Sequence, residues 1–262
     1  MRVYDLFPFF NELPLLELRI AELDSIVDVF GLVELPRTFT DLPKPLYYSK
    51  FGTPNPKVRV HVPTVYPSGP HPTVDWFQRA QLGKLAADAD PDDIIMYSDV
   101  DEIPNRDVVM RLIEAGIEQP LCLQSRLYYH RVDLWDPSVQ WSGTIIGPRR
   151  VMGDAQVLRH KRLVLPQIPD AGWHFSWLGG WEAIKEKLQA VDIERDSNDT
   201  MQHPSEDPQF LQSCYETGKD LFGRPAHNKE RVPIIPGVNQ PHEIAAWLEK
   251  YPQYAAADTV AY

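Results

Sequence analysis

The chain opens on an apolar run, Arg2–Phe10, that reads as a buried strand. Leu13, Leu16, Ile20 and Leu23 then recur at spacings of three and four, which puts them on one face of a helix, and Ile26–Val33 reads as a second strand. Strand, helix and strand in that order predict a parallel pair joined by a right-handed crossover, the opening unit of a doubly wound sheet. Nine prolines lie between Pro36 and Pro72. Each fixes φ and removes a backbone donor, so this stretch is predicted to be a long surface connection, with a short strand at Val58–Val62. A helix is predicted over Thr73–Ala87, and Ile94–Tyr97 is a short buried strand that stops abruptly at Ser98-Asp99-Val100-Asp101-Glu102. Downstream, the pattern predicts helices at Arg106–Gly116, Trp181–Ala190, Asp207–Thr217 and Glu243–Tyr251, and strands at Leu121–Leu127 and Gly172–Trp177. Together these predict an α/β fold: one domain over residues 1–254 with a mostly parallel central sheet flanked by helices, and a tail, 255–262, that frays.

Composition narrows the function classes. Of the 262 residues, 43% are hydrophobic and 24% charged, which excludes disordered and fibrous chains and allows a sizeable core. A formal charge of −11 argues against a protein that coats nucleic acid, because such binding rests on neutralising phosphates. Arg149-Arg150 and Arg159-His160-Lys161-Arg162 are the strong basic clusters. They suit a solvated face, or a hold on a diphosphate or an anionic acceptor. Cys122 and Cys214 fit no metal or redox spacing and read as free thiols of a reducing compartment. No run approaches the ~20 apolar residues of a membrane span, and the N-terminus has no leader pattern, so the expectation is a soluble, cytoplasmic protein.

The chemistry concentrates after Tyr97, where Asp99, Asp101 and Glu102 stand at the C-terminal end of a predicted central strand, the place where open α/β sheets bind ligands. On extended backbone the two aspartates would point to opposite sides, so they are expected to divide labour: one on a metal, the other near a ribose or a metal-bound water. Hard oxygen ligands suit Mg²⁺ or Mn²⁺, which would bridge a diphosphate. Asp-x-Asp is common in solvated loops, and it is the strand-end placement followed by Ile103-Pro104 that favours a site here. A glycoside hydrolase would need paired carboxylates without a metal. A metal-dependent phosphoryl-transfer enzyme or nuclease would use the same aspartates, but no Gly-x-x-x-x-Gly-Lys or Gly-x-Gly-x-x-Gly loop occurs. A non-catalytic sugar-binding protein is the remaining class.

The segment from Asp93 to Pro104 resembles the metal-binding motif of glycosyltransferase family 17, the β-1,4-mannosyl-glycoprotein β-1,4-N-acetylglucosaminyltransferase family. Asn11-Glu12-Leu13, Leu15 to Arg19, Glu22-Leu23 and Val27 to Glu34 resemble its opening strand-helix-strand. Thr38 and Pro43 to Leu46 resemble the stretch that follows, and Gly172 to Trp177 with Glu182, Ile184, Lys187 and Leu188 resembles a second diagnostic block. The resemblance covers most of residues 2–220. It implies a GT-A-type, Rossmann-like fold, a UDP-sugar donor such as UDP-GlcNAc, a divalent cation, inversion at the anomeric carbon, and a glycan or other hydroxyl acceptor. Phe175 stands where the animal enzymes carry cysteine, and the expectation is a chain without their membrane anchor.

Within that frame Asp101, Asp99 and His174 are the metal candidates, His174 being equally at home as a hydrogen-bonded core residue. Asp99, Glu34, Arg79 and Asn11 are the candidates for holding the nucleotide. Arg79, beside Gln78, is poised for a phosphate or simply for solvent, and Glu34 reads as pocket wall or as a turn residue. Inversion needs a base facing the acceptor, and the order of preference is Asp207, Glu206, Glu182. Ser205-Glu206-Asp207 also fits plain helix capping. Trp135, Trp141, Trp173, Trp177 and Trp181 suit sugar stacking or core filling.

Overall fold

A computed structural model describes residues 1–67, 73–190, 205–224 and 229–259. The last five positions of the proline-rich stretch and the end of the predicted tail, 260–262, lie outside them.

The predicted opening unit is present: β1 (Val3–Phe9), α1 (Leu13–Leu23) and β2 (Val29–Glu34), with β1 and β2 parallel. Both strands are buried along their whole length, as expected of parallel strands covered on both faces. The proline-rich connection carries a one-turn helix, α2 (Tyr47–Phe51), and then β3 (Val58–His61). The helix predicted over Thr73–Ala87 divides into α3 (Thr73–Ala80) and a 3₁₀ turn at Leu82–Ala86. That turn packs on the sheet over Gly31, where a Cβ would come within 2.4 Å of Leu6. β4 (Ile94–Tyr97), β5 (Glu102–Pro104) and α4 (Arg106–Ala115) follow. α4 starts at Asn105, whose side chain accepts from the amides of Asp107 and Val108.

The second half holds β6 (Leu121–Tyr129), β7 (Leu134–Pro148), α5 (Ala155–Lys161), β8 (Gln167–Ser176), α6 (Trp181–Ala190), α7 (Pro208–Thr217), the two-residue β9 (Glu230–Arg231) and α8 (Ile244–Lys250). Among the described residues the strands form one sheet in the order β3-β2-β1-β4-β7-β6-β8-β5, with β9 on β7. The β3-β2-β1-β4 half is parallel; from β4 onward the sheet is mixed, antiparallel at β4–β7, β6–β7 and β5–β8 and parallel at β6–β8. β7 was not foreseen, because Asp136-Pro137-Ser138, Gly143 and Gly147 break its apolar pattern. Pro137 falls where Leu127 pairs with Asp136 but Arg126 pairs with Gln140, a bulge that absorbs a residue unable to donate.

Side-chain alternation divides the core between the two faces of the sheet. Val3, Phe7 and Phe9 of β1 and Ile94 and Met96 of β4 pack with Leu16 and Leu23 of α1 and Val109 of α4. Tyr4, Leu6, Ile95 and Tyr97 face Leu82, Leu85 and Leu158 on the other side. Residues 255–259 make contacts with the body of the domain. Ala256 N–H and Thr259 Oγ1 donate to buried Asp133, and Asp258 pairs with Arg231, so this stretch is fastened to the body. No helix among the described residues is long and apolar enough to cross a membrane.

Candidate active site

β4 ends at Tyr97 and the chain turns at once: Glu102 N–H donates to Asp99 O at 3.0 Å, and Asp99 N–H to the Glu102 carboxylate at 2.9 Å. The turn overrides the strand alternation that would send the two aspartates to opposite sides, and Asp99 and Asp101 line the same cavity. Glu102 is fully buried and points inward, taking Trp141 Nε1–H at 2.6 Å and Arg159 at 2.9 Å. Gly143 gives it room, since a Cβ there would lie 2.7 Å from the Glu102 carboxyl carbon. Beneath the turn, Arg19 of α1 donates to the carbonyls of Asp99, Val100 and Glu102 while pairing with Asp5 of β1.

Protein cations surround both aspartates. Arg79 of α3 reaches Asp99 at 2.5 Å and Asp75 at 2.9 Å, and Arg159 of α5 reaches the other Asp99 oxygen at 2.8 Å. Lys187 of α6 is 3.1 Å from Asp101, and His174 Nε2 lies 3.7 Å from the same carboxylate. Burial alone would raise both carboxyl pKa values. Arg159 and then Arg79 overcome it at Asp99, and Lys187 and then His174 at Asp101, so both groups lie below the ordinary carboxylate range. For Lys187, burial pulls the pKa down, and Asp101, Glu12 and Asp99 together more than offset it, leaving it raised.

The cavity, of about 440 Å³, opens at the C-terminal ends of β1 and β4. Its wall combines five cations (Arg37, Lys44, Arg79, Arg159, Lys187), the carboxylates of Glu12, Asp75, Asp99 and Asp101, and the rings of Phe9, Phe10, Phe39 and Trp141. Such a mixture can take a ligand that is anionic at one end and flat and apolar at the other.

The sequence profile of glycosyltransferase family 17 matches residues 1–225. The chain belongs to that family. No curated protein matches the sequence. Among solved structures, the family 17 chain is similar to the 2-C-methyl-D-erythritol 4-phosphate cytidylyltransferase of Francisella tularensis at 10% identity, over 65% of this chain and 91% of that one, with a TM-score of 0.40. It is also similar to a mycobacterial protein at 13% identity, over 93% and 87% of the two chains, with a TM-score of 0.35. As a glycosyltransferase, the enzyme moves a sugar from an activated donor to an acceptor.

Other residues singled out in the family 17 sequence are placed as follows. Gln78 donates to the carbonyls of Phe9 and Val33, tying α3 to the ends of β1 and β2. Glu34 is fully buried behind Lys44 at 3.6 Å and takes Tyr48 N–H; burial raises its pKa, with Lys44 opposing, and it does not line the cavity. Asn11 sits between the lining residues Phe10 and Glu12 without lining the cavity itself. His174 packs its ring on Trp141 at 4.5 Å, faces Asp101, and leaves a buried Nδ1 with no hydrogen-bond partner. Asp207 is the exposed N-cap of α7, accepting from Gln209 and Phe210, Glu206 takes Gln189 Nε2–H at 2.8 Å, and Glu182 is exposed in the first turn of α6. None of these three carboxylates is in the cavity wall. Of the tryptophans, Trp141 lines it, while Trp173, Trp135, Trp177 and Trp181 belong to apolar clusters. Cys122 and Cys214 are buried free thiols.

Residue patterns missed Arg37, Lys44 and Lys187 as cavity residues and Arg19 as the support of the turn. Lys187 stood in the second resembling block and Arg159 in a basic cluster, but only folding brings α5 and α6 to the end of β4. Two carboxylates lining one cavity offer the hard oxygens that suit Mg²⁺ or Mn²⁺, and such a cation would have to displace Arg79, Arg159 or Lys187 from the oxygens they hold. No group of three or more His, Cys, Asp or Glu able to hold a metal occurs among the described residues. The remaining ligands would therefore come from phosphate oxygens and water, which is the usual mode for Mg²⁺.

Proposed function

We propose that this family 17 enzyme is an inverting, divalent-cation-dependent transferase that moves GlcNAc from UDP-GlcNAc, in β linkage, to a hydroxyl of a glycan or other acceptor. The observation that carries the reading is the single cavity shared by Asp99, Asp101 and the five cations. Asp101 and Asp99 would hold Mn²⁺ or Mg²⁺, which when bound supplies positive charge to the departing nucleotide diphosphate. Lys187 and Arg159 lie on the same wall and are suited to bind the phosphates, since charge-assisted hydrogen bonds to phosphate are short and strong. The rings of Phe9, Phe10 and Phe39 offer apolar surface to the base and the ribose. The choice of UDP-GlcNAc rests on the family.

An acceptor arrives from solvent, so its base belongs on the open side. Asp207 meets that condition: it is exposed, and the capping bonds engage its Oδ1. Glu206 and Glu182 follow in that order.

Calorimetry with UDP, in the presence and absence of Mn²⁺, tests the site. Binding to the wild type is expected to require the cation and to vanish in Asp101→Ala with the thermal melt largely kept, because Asp101 sits in a turn at the cavity wall and not in the apolar core. Unchanged Mn²⁺-dependent affinity in that variant refutes the assignment. Faster turnover of UDP-Gal or UDP-GalNAc than of UDP-GlcNAc refutes the donor.

A further inference from the structure

We infer that Arg19 is a positioning residue of this enzyme: its buried guanidinium sets the Asp99–Glu102 turn so that Asp99 and Asp101 face the cavity together. The inference rests on the proposed donor site and adds a residue that does not touch the donor. Arg19 is fully buried, as is its partner Asp5. Burying such a pair costs several kcal/mol per ion unless the geometry is good and the remaining protons are satisfied. Asp5 shares the β1 face with Val3 and Phe7, and Arg19 lies over the Phe7 ring at 4.5 Å, so an apolar pair would fill this space at lower cost.

The other donors of the guanidinium explain why the ion pair stands there. Nε and one Nη2 proton go to the two Asp5 oxygens at 2.7 and 2.5 Å, and Nη2 also donates to Ser98 Oγ at 2.5 Å. Nη1 donates to Asp99 O at 2.9 Å, Glu102 O at 2.8 Å and, more weakly, Val100 O at 3.2 Å. The remaining carbonyl of the turn, Asp101 O, accepts from Phe175 N at 2.9 Å on β8. Every carbonyl from Asp99 to Glu102 is thus drawn down into the protein. With its carbonyls pinned inward the turn has little freedom left, and the two carboxylates stay at the cavity wall. A planar fork with five donors can do this; an ammonium with three converging donors cannot span the same acceptors.

The test compares Arg19→Lys, which keeps a charge for Asp5 but releases carbonyls of the turn, with Glu22→Gln on the same helix. Glu22 is also fully buried and accepts from the backbone N–H groups of Arg106 and His242, so that control neutralises a buried, hydrogen-bonded carboxylate away from the turn. Arg19→Lys is expected to bind UDP with Mn²⁺ roughly 10- to 100-fold more weakly, the range for lost supports behind a metal ligand, and to exchange its Asp99–Glu102 amides faster. Glu22→Gln is expected to melt earlier with unchanged affinity. If Arg19→Lys does not fold, Ser98→Ala removes one acceptor of the same guanidinium and is expected to shift affinity and exchange in the same directions. Wild-type affinity in the folded Arg19 variant, in Ser98→Ala when it stands in for it, or an equal loss in Glu22→Gln, overturns the inference. If the wild type itself binds no UDP with Mn²⁺, the proposed function fails instead. Exchange at the turn then decides for Arg19, with unchanged protection overturning it.

Discussion

Replacing Lys187 with methionine should have two effects of opposite sign on two ligands of one site. The Lys187 ammonium lies 3.1 Å from Asp101, the two side chains being 26% and 9% exposed. Unit charges about 4 Å apart attract by about 1 kcal/mol in water and about 4 kcal/mol at an effective dielectric near 20. The partial exposure of the lysine places this pair between those limits. A divalent cation that binds Asp101 must displace that attraction and then stand close to a like charge. Methionine keeps the stem and removes the charge, so even the lower end of the range, about 1 kcal/mol, predicts Mn²⁺ binding to the nucleotide-free protein about fivefold tighter in Lys187→Met. With Mn²⁺ saturating, UDP should bind roughly tenfold more weakly, because a charge-assisted hydrogen bond to phosphate is lost. Calorimetric titration of Mn²⁺ alone, then of UDP at saturating Mn²⁺, reads both. Mn²⁺ affinity that is unchanged or weaker in the variant would refute the competition, and unchanged UDP affinity would remove Lys187 from the phosphate site.

Asp207→Asn should lower the transfer rate by roughly 10²–10⁴ with UDP affinity kept, since the amide retains the capping oxygen but cannot take a proton. A near-normal rate in that variant beside a large loss in Glu206→Gln, Glu182→Gln or the cavity-lining Glu12→Gln would move the base. Stability should also depend on pH through His130, which is fully buried and whose pKa falls from 6.5 to about 4, chiefly because burial disfavours the imidazolium. The unfolded chain then binds the proton more readily, so stability is complete above pH 6.5 and is lost as pH falls towards 4, by about 3 kcal/mol for this group. Urea unfolding between pH 7.5 and 4.5 should show that slope, and His130→Asn, which tolerates the φ of 70° at this position, should flatten it. An equal slope in the variant would refute the assignment.

Periodicity and turn chemistry were enough to read the parallel half of the fold, because those signals are local. Leu13 to Leu23 form a helix and Ile94–Tyr97 a strand for reasons contained in their own neighbourhoods, and the stop at Ser98 placed the carboxylates at a strand end. The resemblance to family 17 was carried by the same blocks. β7 was hidden because its bulge at Pro137 and its room for Glu102 at Gly143 have meaning only beside β6 and the turn, so in isolation its sequence reads as a string of breakers. Long-range pairing also decided which charges meet. Arg159 and Lys187 are 60 and 86 residues from the aspartates they neutralise, and Arg19 is 80 residues from the carbonyl of Asp99. No spacing rule reports a contact over that distance. By itself the sequence determined the elements of the parallel half, the family and the position of the carboxylates. Tertiary structure alone decided which cations share their cavity and what holds the turn, because ion pairs and supporting hydrogen bonds depend on distance in space and not along the chain.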